Sequence, residues 1–290
     1  MFIDVHAHVY KYQYPSENGE MLFITLSELI KKHDEIGIEK AILLPIVSSE
    51  VYVPQSVGEI IEIAGESNGR FIPYCNIDPR VYSNSSDAPI SRLLEYYKNL
   101  GCRGIGEVLP NLPWLDTRML NLLKHVEQIK FPLIFDMTGR LNHSYGIYDD
   151  PGMPQLESCL EKFPDLLFVG HGPAFWAEIS VLRKSEDRYG YPNYPVIKEG
   201  RVPQLLRQYP NLAVELSAFS GANALTRDRD YAISFLNEFS DKIMFGTDIC
   251  TKDNLYPTAQ LLRELRTSDK ISAEVFEKIA RGNAIWLLGI

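Results

Sequence analysis

The chain has 290 residues, 45% of them hydrophobic and 23% charged, with a net charge of −9 and a pI near 5.3. That composition suits an ordinary globular protein, and its acidic balance argues against a general nucleic-acid binder, which needs a basic face for phosphates. No apolar run approaches the roughly 20 residues that span a bilayer, and no signal-peptide pattern opens the chain, so a cytoplasmic protein without membrane association is expected.

Short apolar runs alternate with longer segments, most of them helical in pattern. FIDVHA begins at Phe2. Thr25-Leu-Ser-Glu28 then reads as a capping box, with Gly37 as the stop of the helix it opens. KAILLPI follows from Lys40, and Ser56-Val-Gly-Glu59 repeats the capping pattern. RFIPYCNI from Arg70 precedes an amphipathic stretch over 92–100. CRGIGEV from Cys102 precedes another over 116–129, and FPLIFDM from Phe131 a third over 154–163. DLLFVGH from Asp165, NLAVELS from Asn211 and DKIMFGT from Asp241 complete a set of eight runs. Each is nearly continuously apolar, the pattern of parallel strands covered on both faces. Eight strands alternating with helices predict the α/β class and a closed (β/α)8 TIM barrel, one domain over 1–290. A doubly wound open sheet is the structural alternative. Cys75, Cys102, Cys159 and Cys250 are scattered without a CxxC pair and read as reduced thiols. Segments 138–154 and 172–203 are the least helical. Both follow predicted strands, on the side where barrel loops build substrate sites.

The strand ends carry the chemistry. His6 and His8 stand at i and i+2, hence on one side of a strand. Alone, the pair reads equally as packed or solvated imidazoles. Val169-Gly-His171-Gly-Pro173 exposes another imidazole in a tight turn, and Met244-Phe-Gly-Thr-Asp248 ends in an aspartate that also suits a helix N-cap. A barrel brings every strand's C-terminal end to one face, so His6, His8, His171 and Asp248 converge, with the ligand types that suit a divalent ion such as zinc. Glu107 ends the fourth run and Asp136 the fifth. A buried carboxylate is costly unless paired or metal-bound, so both join the candidate metal set; their alternatives are orienting or capping roles.

In this order, IDVHAH, the Glu107 strand, GHG and FGTD resemble the amidohydrolase superfamily, and the closing Ile279-Ala-Arg-Gly-Asn-Ala284 resembles its amidohydrolase-2 branch. The resemblance implies that His6, His8 and Asp248 hold a divalent metal, zinc foremost with manganese an option, as one ion or two. It implies that Asp248 accepts a proton and that His171 is a ligand or an acid–base group. Glu107 resembles the bridging glutamate of TatD-like hydrolases. The family usually places a histidine at the end of strand 5, where this chain has Asp136, which leaves the metal count open.

The leading expectation is a metal-dependent hydrolase that uses an activated water on an ester, lactone, amide or phosphoester, with Asp248 and His171 catalytic. The alternative is a metal-dependent non-oxidative decarboxylase or hydratase of an unsaturated or aromatic carboxylic acid, gripped by loop arginines such as Arg140, Arg183 and Arg188. A non-catalytic metal-binding barrel rests only on the missing strand-5 histidine. The expected partner is a small-molecule substrate, and homo-oligomerisation is open. Tyr145, Tyr148, Trp176, Tyr189 and Tyr191 in the two long loops suit an aromatic or sugar-like ligand. His33 and His125, inside predicted helices, are read as surface or packing residues.

Overall fold

In the computed structural model, which describes residues 1–16, 18–51, 53–254 and 257–290, the eight apolar runs form eight parallel strands. They are β1 (Phe2–Ala7), β2 (Ile38–Leu43), β3 (Phe71–Pro73), β4 (Ile105–Val108), β5 (Leu133–Thr138), β6 (Phe168–His171), β7 (Leu212–Glu215) and β8 (Ile243–Met244). Continuous ladders link them into two arcs, β1-β2-β3 and β4-β5-β6-β7-β8. Single bridges join the arcs at both seams. Cys75 pairs with Ile105 beside β4, and Ala7 at the end of β1 pairs with Ile249 just past β8. Backbone hydrogen bonds reinforce each seam: Gly106 N–H donates to Cys75 O at 2.9 Å, Val5 N–H to Phe245 O at 3.0 Å, and Asp248 N–H to His6 O at 2.7 Å. The fold is a (β/α)8 barrel.

The crossover helices of the first half fall where the sequence signals put them: α1 (Leu26–Ile36), α2 (Val57–Gly65), α3 (Ile90–Asn99), α4 (Thr117–Ile129) and α5 (Pro154–Lys162). Glu28 accepts from the Thr25 N–H at 2.9 Å, which completes the predicted capping box, and Gly37 ends α1 in the left-handed region at φ 80°. Such a cap stabilises a helix by about 1 kcal/mol. The second capping box differs from expectation. Ser56 accepts from the Gly58 N–H, but Glu59 turns away to take the Lys11 N–H and the Gln55 amide. Lys11 belongs to the loop after β1 and Gln55 to the loop after β2, so Glu59 ties the β1 loop to the start of α2.

Two apolar clusters follow from the alternation of the strands. Ile3, Val5, Ile42, Leu44, Ile134, Val169 and Met244 pack together inside the ring, while Phe2, Ala7, Leu43, Phe135 and Val214 join the larger core beneath the helices. In β1 the inward parity changes between Val5 and His6, at a register shift lying between Asp4 and Ala7. Asp4 holds that shift by accepting the His6 N–H at 3.0 Å and the Thr247 N–H at 2.9 Å. The bulge turns His6 and His8 into the barrel mouth in place of apolar residues. Among the described residues, no helix is long and apolar enough to cross a membrane.

Candidate metal centre

The structure gathers the residues singled out at the strand ends into one buried cluster. His6 Nε2 lies 3.0 Å from His8 Nε2. Asp248 Oδ1 is 3.1 Å from His8 Nε2 and 3.5 Å from His6 Nε2, and Glu107 Oε2 is 3.5 Å from each. The other Glu107 oxygen, Oε1, faces His171 Nε2 at 3.7 Å. Three ligand groupings result, His6 with His8 and Asp248, His6 with His171 and Glu215, and Glu107 with Asp136 and His171; within each, the candidate ligand atoms lie within 4.8 Å of one another. Glu107 stands between the first and the last of them.

Hydrogen bonds on the far side of the rings fix their tautomers. His8 Nδ1–H donates to Leu44 O at 2.8 Å, and His6 Nδ1–H donates to Glu215 Oε1 at 3.1 Å. Assigned from these acceptors, each Nε2 is left with a lone pair. Two lone pairs facing each other at 3.0 Å repel unless a proton or a cation lies between them. His171 follows the same pattern, its Nδ1 2.5 Å from Glu215 Oε1. Ser217 supports Glu215, its Oγ–H donating to Oε1 at 2.8 Å and its N–H to Oε2 at 2.7 Å. One carboxylate therefore orients two imidazoles, as the outer partners of metal-binding histidines do.

Glu215 did not emerge from sequence reading, although the signal was present. NLAVELS puts an acid at the end of an apolar strand, as IGEV and IFDM do for Glu107 and Asp136. Asp136 occupies a socket that needs glycine opposite it. Gly172 has φ +101°, and a Cβ there would come 2.6 Å from Met137 N and closer still to Asp136 Oδ1.

Electrostatics show what the cluster lacks. Burial alone would lower the pKa of His6, but the charges of Asp248, Glu107 and Glu215 hold it well above the ordinary value. His8 and His171 are likewise depressed by burial, yet nearby carboxylates raise both to about 9. Glu107 is held below its usual range by the imidazoles in spite of burial, whereas burial and the Glu107 charge push Asp136 well above it. Four carboxylates surround three imidazoles, and protons supply the missing positive charge. A divalent cation would supply it without blocking the Nε2 lone pairs, so the donor set fits one.

Above the cluster opens a cavity of about 510 Å³. Phe23, Ile46, Val51 and Val53 line one side of it in the company of Tyr10; Leu109, Tyr145, Pro173 and Tyr191 also line it. Asp248, with 27% of its side chain exposed, is the most open of the six predicted site residues. Of the expected carboxylate-gripping arginines, Arg183 is stacked on Tyr194 at 4.2 Å and lines a separate surface pocket. Arg140 and Arg188 line a smaller cavity beside Asp136. Trp176 is buried in the core, and so is His33, which lies 3.4 Å from Asp4 Oδ2 beneath β1. His125 is half-buried. All four cysteines are free thiols.

A sequence profile described as Amidohydrolase matches residues 90–290, more than two thirds of the chain. The chain belongs to the amidohydrolase family. No curated protein matches the sequence. Solved structures similar in fold include an uncharacterized TIM-barrel protein from Bordetella bronchiseptica, 18% identical with a TM-score of 0.62 over 90% of this chain and 81% of that one. A probable 2-pyrone-4,6-dicarboxylic acid hydrolase from Acinetobacter baumannii is 14% identical, with a TM-score of 0.59 over 100% and 99%. A 5-carboxyvanillate decarboxylase from Sphingomonas paucimobilis is 17% identical, with a TM-score of 0.56 over 91% and 82%. At these identities the likeness carries the barrel and no reaction.

Proposed function

We propose that this amidohydrolase is a metal-dependent hydrolase of a small-molecule ester, lactone, amide or phosphoester. The observation behind the reading is the place of Asp248. Its carboxylate reaches the Nε2 atoms of both His6 and His8 and also faces the cavity. His6, His8 and Asp248 would hold one divalent ion, zinc foremost or manganese. Glu107, Asp136 and His171 would hold a second, with Glu107 shared. When bound, such ions acidify water and polarise an acceptor oxygen.

The remaining work falls to the chain. Asp248 accepts the proton of the attacking water and returns it to the leaving group. His171, steadied by Glu215, would serve through its Nε2 lone pair as a ligand of the second ion, or, when both ring nitrogens are protonated, would donate a hydrogen bond to the oxygen that gains negative charge. The apolar walls exclude competing water.

Asp248→Asn keeps the shape but removes the proton acceptor, and turnover falls by roughly 100-fold to 10,000-fold. The check is turnover of a panel of esters, lactones and phosphoesters, with the metal content of both proteins measured in parallel. Full turnover with metal still bound refutes the role.

Decarboxylation of a carboxylic acid is the second reading, and the observation favouring it is the pair Arg140 and Arg188 beside Asp136. Release of carbon dioxide from candidate acids separates it from hydrolysis.

A further inference from the structure

Helix α1 buries Leu29, His33 and Ile36, an i, i+4, i+7 stripe in which His33 holds a place that the spacing reserves for an apolar side chain. Its side chain is fully buried, and neither ring nitrogen makes a hydrogen bond. Burying an imidazole costs more than burying a leucine unless a partner uses it. Packing supplies one neighbour, the Phe71 ring on β3, with ring centres 5.7 Å apart. The polar neighbour is Asp4 on β1, whose Oδ2 lies 3.4 Å from His33 Nε2. Among the described residues, His33 is the one basic side chain at ion-pair distance from that carboxylate.

Asp4 is itself fully buried and is the hub of the β1 bulge. Its Oδ1 accepts the His6 and Thr247 N–H groups, and its Oδ2 accepts the Thr247 hydroxyl. Thr247 Oγ1 in turn accepts the Ile249 N–H at 3.2 Å. The carboxylate therefore grips both backbones that deliver the first ligand grouping. His6 and His8 follow Asp4 on one of them, and Asp248 follows Thr247 on the other. The donors from the strands are unevenly shared, two on Oδ1 and one on Oδ2, and His33 faces Oδ2. An aspartate carboxylate turns easily about its last bond, so a group set against the less-held oxygen limits that turn.

We propose that His33 is a positioning residue for the candidate metal centre. It acts through Asp4. The ring steadies the carboxylate, the carboxylate steadies the bulge and the β1–β8 seam, and these aim His6 and Asp248 at a common ion. This rests on the metal-centre reading for the effect on an ion, but not for the effect on the bulge, and it holds for either reaction.

The test compares the native chain with His33→Phe, which keeps a ring and loses both nitrogens, and His33→Gln, which keeps a polar group able to reach Asp4. Zinc affinity is measured by chelator competition, and amide hydrogen exchange is followed by mass spectrometry on the metal-free proteins. His33→Phe weakens zinc roughly tenfold, the lower end of the loss for an outer partner. It also speeds exchange at least about tenfold in the segments 2–9 and 243–250, and leaves 131–138 and 165–171 unchanged. His33→Gln recovers most of both effects. If His33→Phe does not fold, Asp4→Asn and the double variant Asp4→Asn/His33→Phe decide. A residue that acts through Asp4 adds less than about threefold to the loss of zinc affinity that Asp4→Asn already causes, and a larger added loss overturns the proposal. Zinc affinity within about threefold of the native value in both His33 variants, with seam exchange unchanged, overturns it too. So does faster exchange spread evenly over the barrel, the result of a lost packing contact. Faster exchange confined to the seam, in a protein whose native form binds no zinc, keeps His33 as the support of the bulge and removes the metal-centre reading.

Discussion

Glu215→Gln removes no bulk and only one charge, yet it should cripple the metal centre. Glu215 Oε1 accepts from three donors, on His6, His171 and Ser217, while Oε2 accepts the Ser217 N–H. A carboxamide has one accepting oxygen and one donating nitrogen. If its nitrogen takes the Oε1 place, it faces ring N–H groups and forces the imidazoles to move their protons to Nε2, which blocks the ligand lone pairs. If its nitrogen takes the Oε2 place, it faces the Ser217 N–H, and one buried donor pair clashes at a cost of about 1–3 kcal/mol. Loss of such an outer partner weakens metal affinity by roughly 10- to 100-fold, or about 1.4–2.7 kcal/mol. The assay is zinc competition against a chromogenic chelator, with circular dichroism to confirm the fold. A zinc affinity within about threefold of the native value refutes the claim that Glu215 sets the tautomers.

Gly172→Ala should lower stability by about 1–3 kcal/mol, since it combines an unfavourable φ with a methyl group pressed on Asp136 and Met137 N; thermal melting of the metal-free protein checks this, and an unchanged melting temperature refutes it. A pH effect is expected at the chamber rim, where burial raises the Glu50 pKa but the Arg80 fork at 2.7 and 2.8 Å and the Ser48 hydroxyl outweigh it, bringing it to about 2. The folded value lies below the unfolded value near 4.5, so this stabilisation is complete above that pH and is lost as pH falls toward 2. After discounting for partial exposure it amounts to about 1–2 kcal/mol. Urea unfolding of Glu50→Gln should show a flatter loss of stability between pH 5 and pH 2 than the native chain; parallel curves refute the assignment.

The barrel was legible because its strands are buried on both faces, so each appears in the sequence as a nearly continuous apolar run. The first-half helices were legible through their amphipathic periodicity and through caps such as Thr25 and Ser56, which are local devices. His6, His8, His171 and Asp248 could be grouped because fold geometry alone sends strand ends to one rim. Glu215 escaped because its role lies in two imidazoles from distant strands. The fate of the loop arginines was equally hidden. Whether Arg183 meets Tyr194 or Arg188 meets Glu178 depends on how a long loop folds back on itself, and no periodicity encodes that. The bulge in β1 was also invisible, because it depends on Asp4 reaching Thr247 at the other end of the chain.

That reach across the sequence makes the β1–β8 seam more than a closure of the sheet. The Asp248 N–H that completes it donates to the carbonyl of His6, so the last strand docks through the backbone of two residues whose side chains share the candidate centre. Bringing those ends together spans nearly the whole polypeptide, an entropic cost that local contacts do not offset. An ion held by His6, His8 and Asp248 would act as a clasp on the ring, stabilising the closed state in proportion to the logarithm of its concentration above its dissociation constant. Metal supply and fold integrity would thereby be linked. A chain starved of its ion would loosen first where the first and last strands meet, and would lose its reaction centre in the same event.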